Sequence, residues 1–136
     1  MKRIEGWLDA SLDVHQTIWV ETVLSTDKYR RLVEKAKHRG FEVRLIYVFL
    51  RSVELQIERI RLRVAKGGHA VPDDKVRSRR ERSFAQLPWF MEAADSAWLF
   101  DNSGAEPELV GRKGGGVLRL SERVPVELFA RMTNRS

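Results

Sequence analysis

An arginine-rich segment is the part of this sequence best suited to bind phosphate. Between Arg59 and Arg82 the chain has nine lysines and arginines against three acidic residues. A guanidinium group presents a planar fork of donors that matches two phosphate oxygens, and a polyphosphate rewards several such forks. The segment therefore predicts a site for a phosphorylated ligand. The alternative is a solvated helix surface on which the arginines pair with nearby carboxylates.

Arg80 differs from its neighbours because the pattern predicts that it faces inward. On the predicted helix it falls within the same stripe as Ser83 and Phe84. An unpaired buried charge is costly, so we expect Arg80 to have an anionic partner. On the preceding helix Arg59 and Arg63 lie four residues apart and therefore share one face.

Two glycines separate these basic helices. The connector Gly67-Gly68-His69-x-Val71-Pro72 begins with a flexible pair of glycines and ends with the rigid Val71-Pro72. Such a connector suits a mobile lid over a nucleotide. It equally suits an ordinary link between two helices.

Polar residues follow two predicted strands. Glu21 and Thr22 end one strand, and Asp101, Asn102 and Ser103 follow another. In open parallel sheets ligands bind beyond the carboxyl ends of the strands. Glu21 is suited to accept a hydrogen bond from a substrate hydroxyl group or to act as a base. The alternative is a structural role, in which it caps nearby backbone amides or pairs with an arginine. Asp101 either holds a water molecule on Mg²⁺ or forms a local turn with Ser103.

Strands and helices alternate along the chain. Helices are predicted over 3–15, from about 26 to Gly40, from Ser52 to Gly67, over 73–94 and over 125–131; strands are predicted over 17–22, 43–50 and 97–100. The nearly continuous apolar run over 43–50 predicts a strand buried on both faces. The alternation predicts an α/β fold with a mainly parallel sheet. The segments 108–112 and 116–120 predict a C-terminal hairpin, which fits the glycines after Lys113 better than a phosphate loop does.

Composition limits the class of protein. The chain has 136 residues, which favours one domain, and a net charge of +6, which favours polyanionic partners. It has no cysteine, which excludes disulfides and thiolate metal sites and fits a reducing cytoplasm. We expect a cytoplasmic protein, because the sequence has neither a membrane-spanning apolar run nor a signal peptide.

Three motifs together resemble the zeta-toxin family of P-loop kinases over residues 17–103. They are Glu21-Thr22-Val23-Leu24-Ser25-Thr26; Arg59-x-x-x-Arg63-Val64-x-x-Gly67-Gly68-His69-x-Val71-Pro72 continuing through Arg79-Arg80-x-Arg82-Ser83; and Asp101-Asn102-Ser103. The resemblance implies a three-layer sheet of P-loop-kinase type and an ATP-dependent phosphotransferase. In the best-known members of the family the phosphoryl acceptor is an activated amino sugar such as UDP-N-acetylglucosamine.

The resemblance also implies roles for particular residues. Glu21 and Thr22 would face the small-molecule acceptor, and the lid would comprise about residues 59–83. Nucleotide- or phosphate-binding residues would be Arg59, Arg63, Arg79, Arg80 and Asn102, with Asn102 near the base. ATP and Mg²⁺ would be the cofactors, and an antitoxin is a further partner to consider. No catalytic residue or metal ligand is assigned.

The sequence departs from this family in one respect. The strand, Walker A loop and helix that begin the family's fold are absent, as is any G-x-x-x-x-G-K-[ST] motif. The loop normally cradles the phosphates and holds Mg²⁺. We therefore expect a single truncated kinase domain over 1–136 that is inactive or incomplete alone. The alternatives are half of a split kinase completed by a P-loop-bearing chain, or a basic nucleic-acid-binding module. The latter is disfavoured because the basic run lacks interleaved exposed aromatic residues.

Overall fold

The computed structural model describes residue 22 and residues 24–133. The predicted helix over 3–15, Glu21 and the predicted strand over 17–22, except Thr22, lie outside the described residues. Within them the chain forms four helices and four strands. The helices are α1 (Arg30–His38), α2 (Val53–Ala65), α3 (Asp73–Ala93) and α4 (Val126–Thr133). The strands are β1 (Arg44–Phe49), β2 (Ser96–Asp101), β3 (Glu108–Gly114) and β4 (Val117–Leu120).

Three helix ends follow signals in the sequence, whereas α1 begins at Arg30, about four residues after its predicted start, and has no side-chain cap. Ser52 precedes α2, and its Oγ accepts a hydrogen bond of 3.2 Å from the backbone N–H of Leu55. Beyond α1 and α2 the chain turns at Gly40 and Gly67, which have φ angles of +82° and +98°. Glycine adopts such left-handed angles without a steric penalty, so it ends helices readily. The predicted cap at Ser52 and the predicted stops are therefore confirmed.

The four strands form one mixed sheet in the order β1-β2-β3-β4. β1 and β2 are parallel, whereas β2 with β3 and β3 with β4 are antiparallel. The α/β class is thus confirmed, and the sheet within the described residues is mixed rather than mainly parallel. The predicted C-terminal hairpin is also confirmed. Its turn is Gly115-Gly116, with φ of +57° and +78°, as the commonest tight hairpin turn requires.

The core lies between one face of the sheet and helices α3 and α4. The sheet contributes Tyr47, Phe49, Leu99 and Val110, all buried. The helices contribute Phe84, Leu87, Met91 and Leu128, with between 0 and 2% of each side chain exposed. No helix among residues 24–133 is both long enough and apolar enough to cross a lipid bilayer.

The prediction that the 43–50 strand is buried on both faces is wrong. Tyr47 and Phe49 are 8% and 5% exposed, but Ile46 and Val48 on the opposite face are 56% and 53% exposed. β1 is an outer strand of the described sheet, and the core packs against only one of its faces. A continuous apolar run therefore marks a strand here, but not a strand covered on both sides.

Lys113 closes the end of α3 rather than binding an external anion. Its Nζ donates hydrogen bonds of 2.7, 2.8 and 2.7 Å to the carbonyl oxygens of Met91, Glu92 and Ala94. The last carbonyl groups of a helix have no partner within the helix, and a cation there also favours the helix dipole. The lysine thus ties the hairpin to α3.

Candidate functional site

A cavity of about 560 Å³ lies beyond the carboxyl ends of β1 and β2, beside α2 and α3. Four of the predicted nucleotide- or phosphate-binding residues line it: Arg59, Arg63, Arg80 and Asn102. Its volume lies within the range of about 300–1,000 Å³ that is usual for small-molecule sites, and the cavity is open to solvent on one side. The fold thus brings together residues from two helices and a strand end, at the position where α/β sheets bind ligands.

Arg80 forms part of the cavity wall and is 8% exposed. Its Nη1 donates to the carbonyl oxygen of Leu50 at 2.7 Å, and its Nη2 donates to that of Arg51 at 3.2 Å. Nη2 also lies 2.8 Å from Oε1 of Glu127. The guanidinium group stands 4.4 Å from the centre of the Phe84 ring. The prediction that Arg80 faces inward and has an anionic partner is confirmed, and that partner is a carboxylate of this chain.

Arg59 joins α2 to the loop after β2. Its Nη1 and Nη2 donate to the carbonyl oxygens of Asn102 and Ser103 at 2.6 and 2.9 Å. The N–H of Asn102 donates in turn to the carbonyl oxygen of Phe49 at 2.9 Å. These bonds fix the rim of the cavity, and they place the positive charge of Arg59 there.

Arg63 is the cavity arginine that is available to a ligand. It lines the cavity one turn beyond Arg59 on α2, and its side chain is exposed. Within the described part of the chain, no acidic side chain pairs with it. A guanidinium group without a protein partner at the mouth of a cavity is suited to bind an anion.

Arg79 is exposed on α3, and it is not among the residues that line the cavity. Other members of the basic segment pair locally. Nη2 of Arg61 lies 2.9 Å from Oδ2 of Asp73, and Nη1 of Arg77 lies 3.9 Å from Oε1 of Glu54. The arginines of the basic segment therefore fall into two groups. One group lines the cavity, and the other lies on a solvated helix surface and pairs with nearby carboxylates, as the alternative interpretation predicted.

Asp101 forms a turn with Ser103. The Ser103 N–H and hydroxyl group both donate to Oδ1 of Asp101, and Nη2 of Arg51 lies 3.3 Å from Oδ2. Burial is the largest influence on this carboxyl group and raises its pKa. The bonds from Ser103 and the charge of Arg51 together outweigh burial and hold the pKa below the ordinary 3.8. Of the two interpretations of Asp101, the turn is the one observed.

The described residues do not fit a protein-built magnesium site. No group of three or more His, Asp or Glu side chains is placed to hold a metal ion in residues 24–133. Asp101 is the carboxylate nearest the end of β2, and its oxygens already accept bonds from Ser103 and Arg51. A hard cation such as Mg²⁺ needs several free oxygen ligands.

Thr22 begins a strained turn. Its Oγ1 accepts a hydrogen bond of 3.1 Å from the N–H of Leu24. Leu24 has a φ of +55° although it is not glycine, and it is 4% exposed. Such a conformation costs about 1–3 kcal/mol and tends to persist at ligand sites. Thr22 itself is exposed, and Glu21 lies outside the described residues.

Tyr47 and Gln56 also line the cavity, and the sequence interpretation missed both. The Tyr47 hydroxyl lies 2.6 Å from Oγ of Ser83, and burial raises the pKa of Tyr47 to about 12. Gln56 stands three residues before Arg59 on α2, so helical spacing was a signal that placed it on the same face. No comparable signal pointed to Tyr47, which sits in an apolar strand.

No family model matches the chain, and no solved structure matches it. The chain is similar to an uncharacterized protein of Haemophilus influenzae, with 37% identity over 74 residues. This match covers 54% of this chain and 53% of that protein. The chain therefore spans about half the length of the curated relative that it matches.

Proposed function

We propose that this chain is a zeta-toxin-like phosphotransferase domain of the cytoplasm that binds a nucleotide in the cavity beyond β1 and β2. The observation that carries the proposal is the convergence of Arg59, Arg63, Arg80 and Asn102 on that cavity. These residues come from α2, α3 and the end of β2, so local sequence alone does not bring them together. The family resemblance rests on the same residues.

Each cavity arginine has a different task in this proposal. Arg63 forms the direct contact, because its guanidinium group has no partner in the described residues. Arg59 and Arg80 are fixed by backbone carbonyl groups and hold the walls in place. Arg59 also adds positive potential, whereas the charge of Arg80 is paired with Glu127. The apolar side chains of Val48 and Leu62 offer a surface for the base or sugar.

The acceptor would bind near the turn that begins at Thr22. The strained φ of Leu24 supports a ligand role for this turn, because backbone strain concentrates at functional sites. Glu21 and Thr22 would face a sugar nucleotide or a similar small molecule. The complete fold would be a three-layer sheet of P-loop-kinase type that lacks one strand.

We expect little or no turnover by the chain alone. Phosphoryl transfer depends on positioning and on charge stabilisation, which a phosphate loop and its lysine normally supply. Among the described residues the cavity lining supplies guanidinium groups but no helix N-terminus with a glycine-rich loop. Mg²⁺ would enter with the ATP phosphates, because the described residues do not form a cage for it.

A second candidate is half of a split kinase. β1 is an outer strand of the described sheet, and an outer strand presents backbone groups that can pair with another chain. The cavity lies at the carboxyl end of this strand. A reading frame beside the gene that encodes G-x-x-x-x-G-K-[ST] would support this candidate, and the absence of such a frame would remove its basis.

Calorimetric titration with ATP-Mg tests the proposed function. We expect binding by the wild-type chain and about tenfold weaker binding by Arg63→Gln, since one charge-assisted hydrogen bond contributes about 1.5 kcal/mol. Arg82→Gln is the matched control, because Arg82 is exposed and its Nη1 donates only to Ser78 within its own helix. No binding by the wild type, or equal losses in both variants, would refute the cavity as the site. UDP-N-acetylglucosamine, titrated with and without ATP, tests the acceptor; rapid turnover would refute the expected inactivity.

A further inference from the structure

The sheet has a second face, which the core helices do not cover. Side chains on a strand alternate between the two faces, and the register aligns those of neighbouring strands. Leu99 and Val110 point to the core, as do Tyr47 and Phe49. We call the opposite side the open sheet face and define it by seven residues: Ile46, Val48, Trp98, Phe100, Leu109, Arg112 and Arg119.

One half of the open sheet face is apolar. Ile46, Val48 and Leu109 are 56%, 53% and 48% exposed. Ile46 lies opposite Trp98 in the register, and Phe100 lies between Val48 and Leu109, so the apolar side chains are contiguous. Contiguous exposed apolar residues on a soluble domain mark a site of interaction.

The other half is basic. Arg112 lies directly opposite Arg119, and Trp98 lies beside Arg112 on β2. Like charges that face each other across strands destabilise a sheet. Neither arginine has an acidic partner among the described residues, and the strand positions on this face contain no carboxylate. An occupant with carboxylates beside an apolar surface would relieve this repulsion.

A helix fits this face better than other occupants. Helices cover both faces of parallel sheets, and β1 and β2 are the parallel pair of this mixed sheet. The six residues of β1 extend over roughly 20 Å, which matches a helix of about 13 residues. The most exposed apolar side chains are aliphatic, and the aromatic residues Trp98 and Phe100 are only partly exposed, which disfavours single-stranded nucleic acid. A second copy of this chain would bring a further net charge of +6.

We propose that the open sheet face is the docking surface for an amphipathic helix of another polypeptide, with an apolar stripe flanked by Asp or Glu. The apolar stripe covers Ile46, Val48 and Leu109, and the carboxylates reach Arg112 and Arg119. The proposal rests on the sheet and its charges. Val48 also lines the cavity, so a docked helix and a bound nucleotide would share this one side chain. The peptide test is made without nucleotide, so its outcome does not depend on ATP binding.

Two synthetic helical peptides of about 18 residues, or about five turns, test this surface. Both have leucines at helical spacing; one has glutamates on the flanks and the other has lysines. Titration into the isotope-labelled full chain gives the affinity and maps the amide shifts. The test variant is Arg112→Glu/Arg119→Glu, and the control is Lys75→Glu/Arg82→Glu, which makes the same change of net charge on the exposed side of α3.

We expect the glutamate peptide to bind the wild-type chain at least about tenfold more tightly than the lysine peptide. The shifts should map to Ile46, Val48, Trp98, Arg112 and Arg119. The test variant should lose or reverse the preference, and the control should keep it. If the test variant does not fold, Arg112→Gln/Arg119→Gln replaces it, with a loss of preference as the expected result.

Several results would overturn the proposal. They are equal affinity for both peptides, shifts outside the open sheet face, and an equal loss of preference in the control variant. Tighter binding of a single-stranded oligonucleotide at the same residues would assign the face to nucleic acid instead. Concentration-dependent shifts of these residues without peptide would assign it to a second copy of the chain.

Discussion

Arg80 on α3 and Glu127 on α4 form an ion pair in which the arginine side chain is 7% exposed and the glutamate side chain 51% exposed, with 2.8 Å between Nη2 and Oε1. Because Arg80 also donates to the carbonyl groups of Leu50 and Arg51, it links α3, α4 and the segment that leaves β1. The residue that looked most like a phosphate ligand is therefore also a structural link beneath the cavity.

The first prediction concerns this link. Arg80→Met should lower the free energy of unfolding by about 2–3 kcal/mol, because the two carbonyl groups lose a charged donor while Glu127 regains water. Glu127→Gln should cost about 1 kcal/mol or less, since the amide oxygen still accepts a hydrogen bond. Urea unfolding measures both.

Arg82→Gln is the matched control for that comparison, and it should change stability by no more than about 0.5 kcal/mol. A loss no greater in Arg80→Met than in Arg82→Gln would contradict the structural role of Arg80.

The second prediction concerns acid. The pKa of Asp101 in the folded chain lies below its ordinary value of 3.8. At pH values between the pKa of the folded chain and 3.8, the unfolded chain binds more protons at Asp101 than the folded chain does. The free energy of unfolding therefore falls as the pH falls through this range. Asp101→Asn should cost about 1–2 kcal/mol near pH 7. The difference from wild type should shrink as the pH falls below about 4.

Urea unfolding at a series of pH values checks this expectation. A difference between wild type and Asp101→Asn that stays constant down to about pH 2 would show that the charge of Asp101 adds nothing to the turn.

The third prediction concerns the end of α3. Lys113→Met keeps most of the aliphatic side chain but removes the three hydrogen bonds to Met91, Glu92 and Ala94. We expect a loss of about 1–2 kcal/mol and faster amide hydrogen exchange in the last turn of α3. Arg112→Met, at the neighbouring exposed position, should leave that exchange unchanged. Equal exchange rates in the two variants would contradict the capping role.

The fourth prediction concerns the lid. The family resemblance implies that Arg79 contacts ATP phosphates, but Arg79 is not among the residues that line the cavity. If the cavity binds nucleotide in its present shape, Arg79→Gln should alter ATP affinity by less than about twofold. A loss as large as that of Arg63→Gln would instead mean that α3 closes over the nucleotide through the Gly67-Gly68 link.

Local signals in the sequence predicted much of the fold. Ser52 supplied an N-cap, Gly40 and Gly67 supplied turns, and the glycines after Lys113 supplied the hairpin, because each has a backbone preference that few other residues share. The turn itself lies at Gly115-Gly116, although the sequence had predicted Gly116 in the second strand. The inward position of Arg80 followed from helical periodicity in the same way.

The partners of these residues were not predictable. The pairing of Arg80 with Glu127 and the reach of Lys113 to α3 depend on how separate elements pack, which no local pattern encodes. The exposure of one face of β1 was not predicted, for the same reason. An apolar run reports the preference of a strand for burial, but not whether a second layer exists to bury it.

The most direct test of the nucleotide site is an experimental structure of the chain with ATP and Mg²⁺. The proposal predicts phosphate oxygens inside the cavity, within hydrogen-bonding distance of the Arg63 guanidinium group and close to Arg59 and Arg80. A cavity without nucleotide at saturating ATP, with Arg63 directed into solvent, would contradict it and leave only a basic α/β domain.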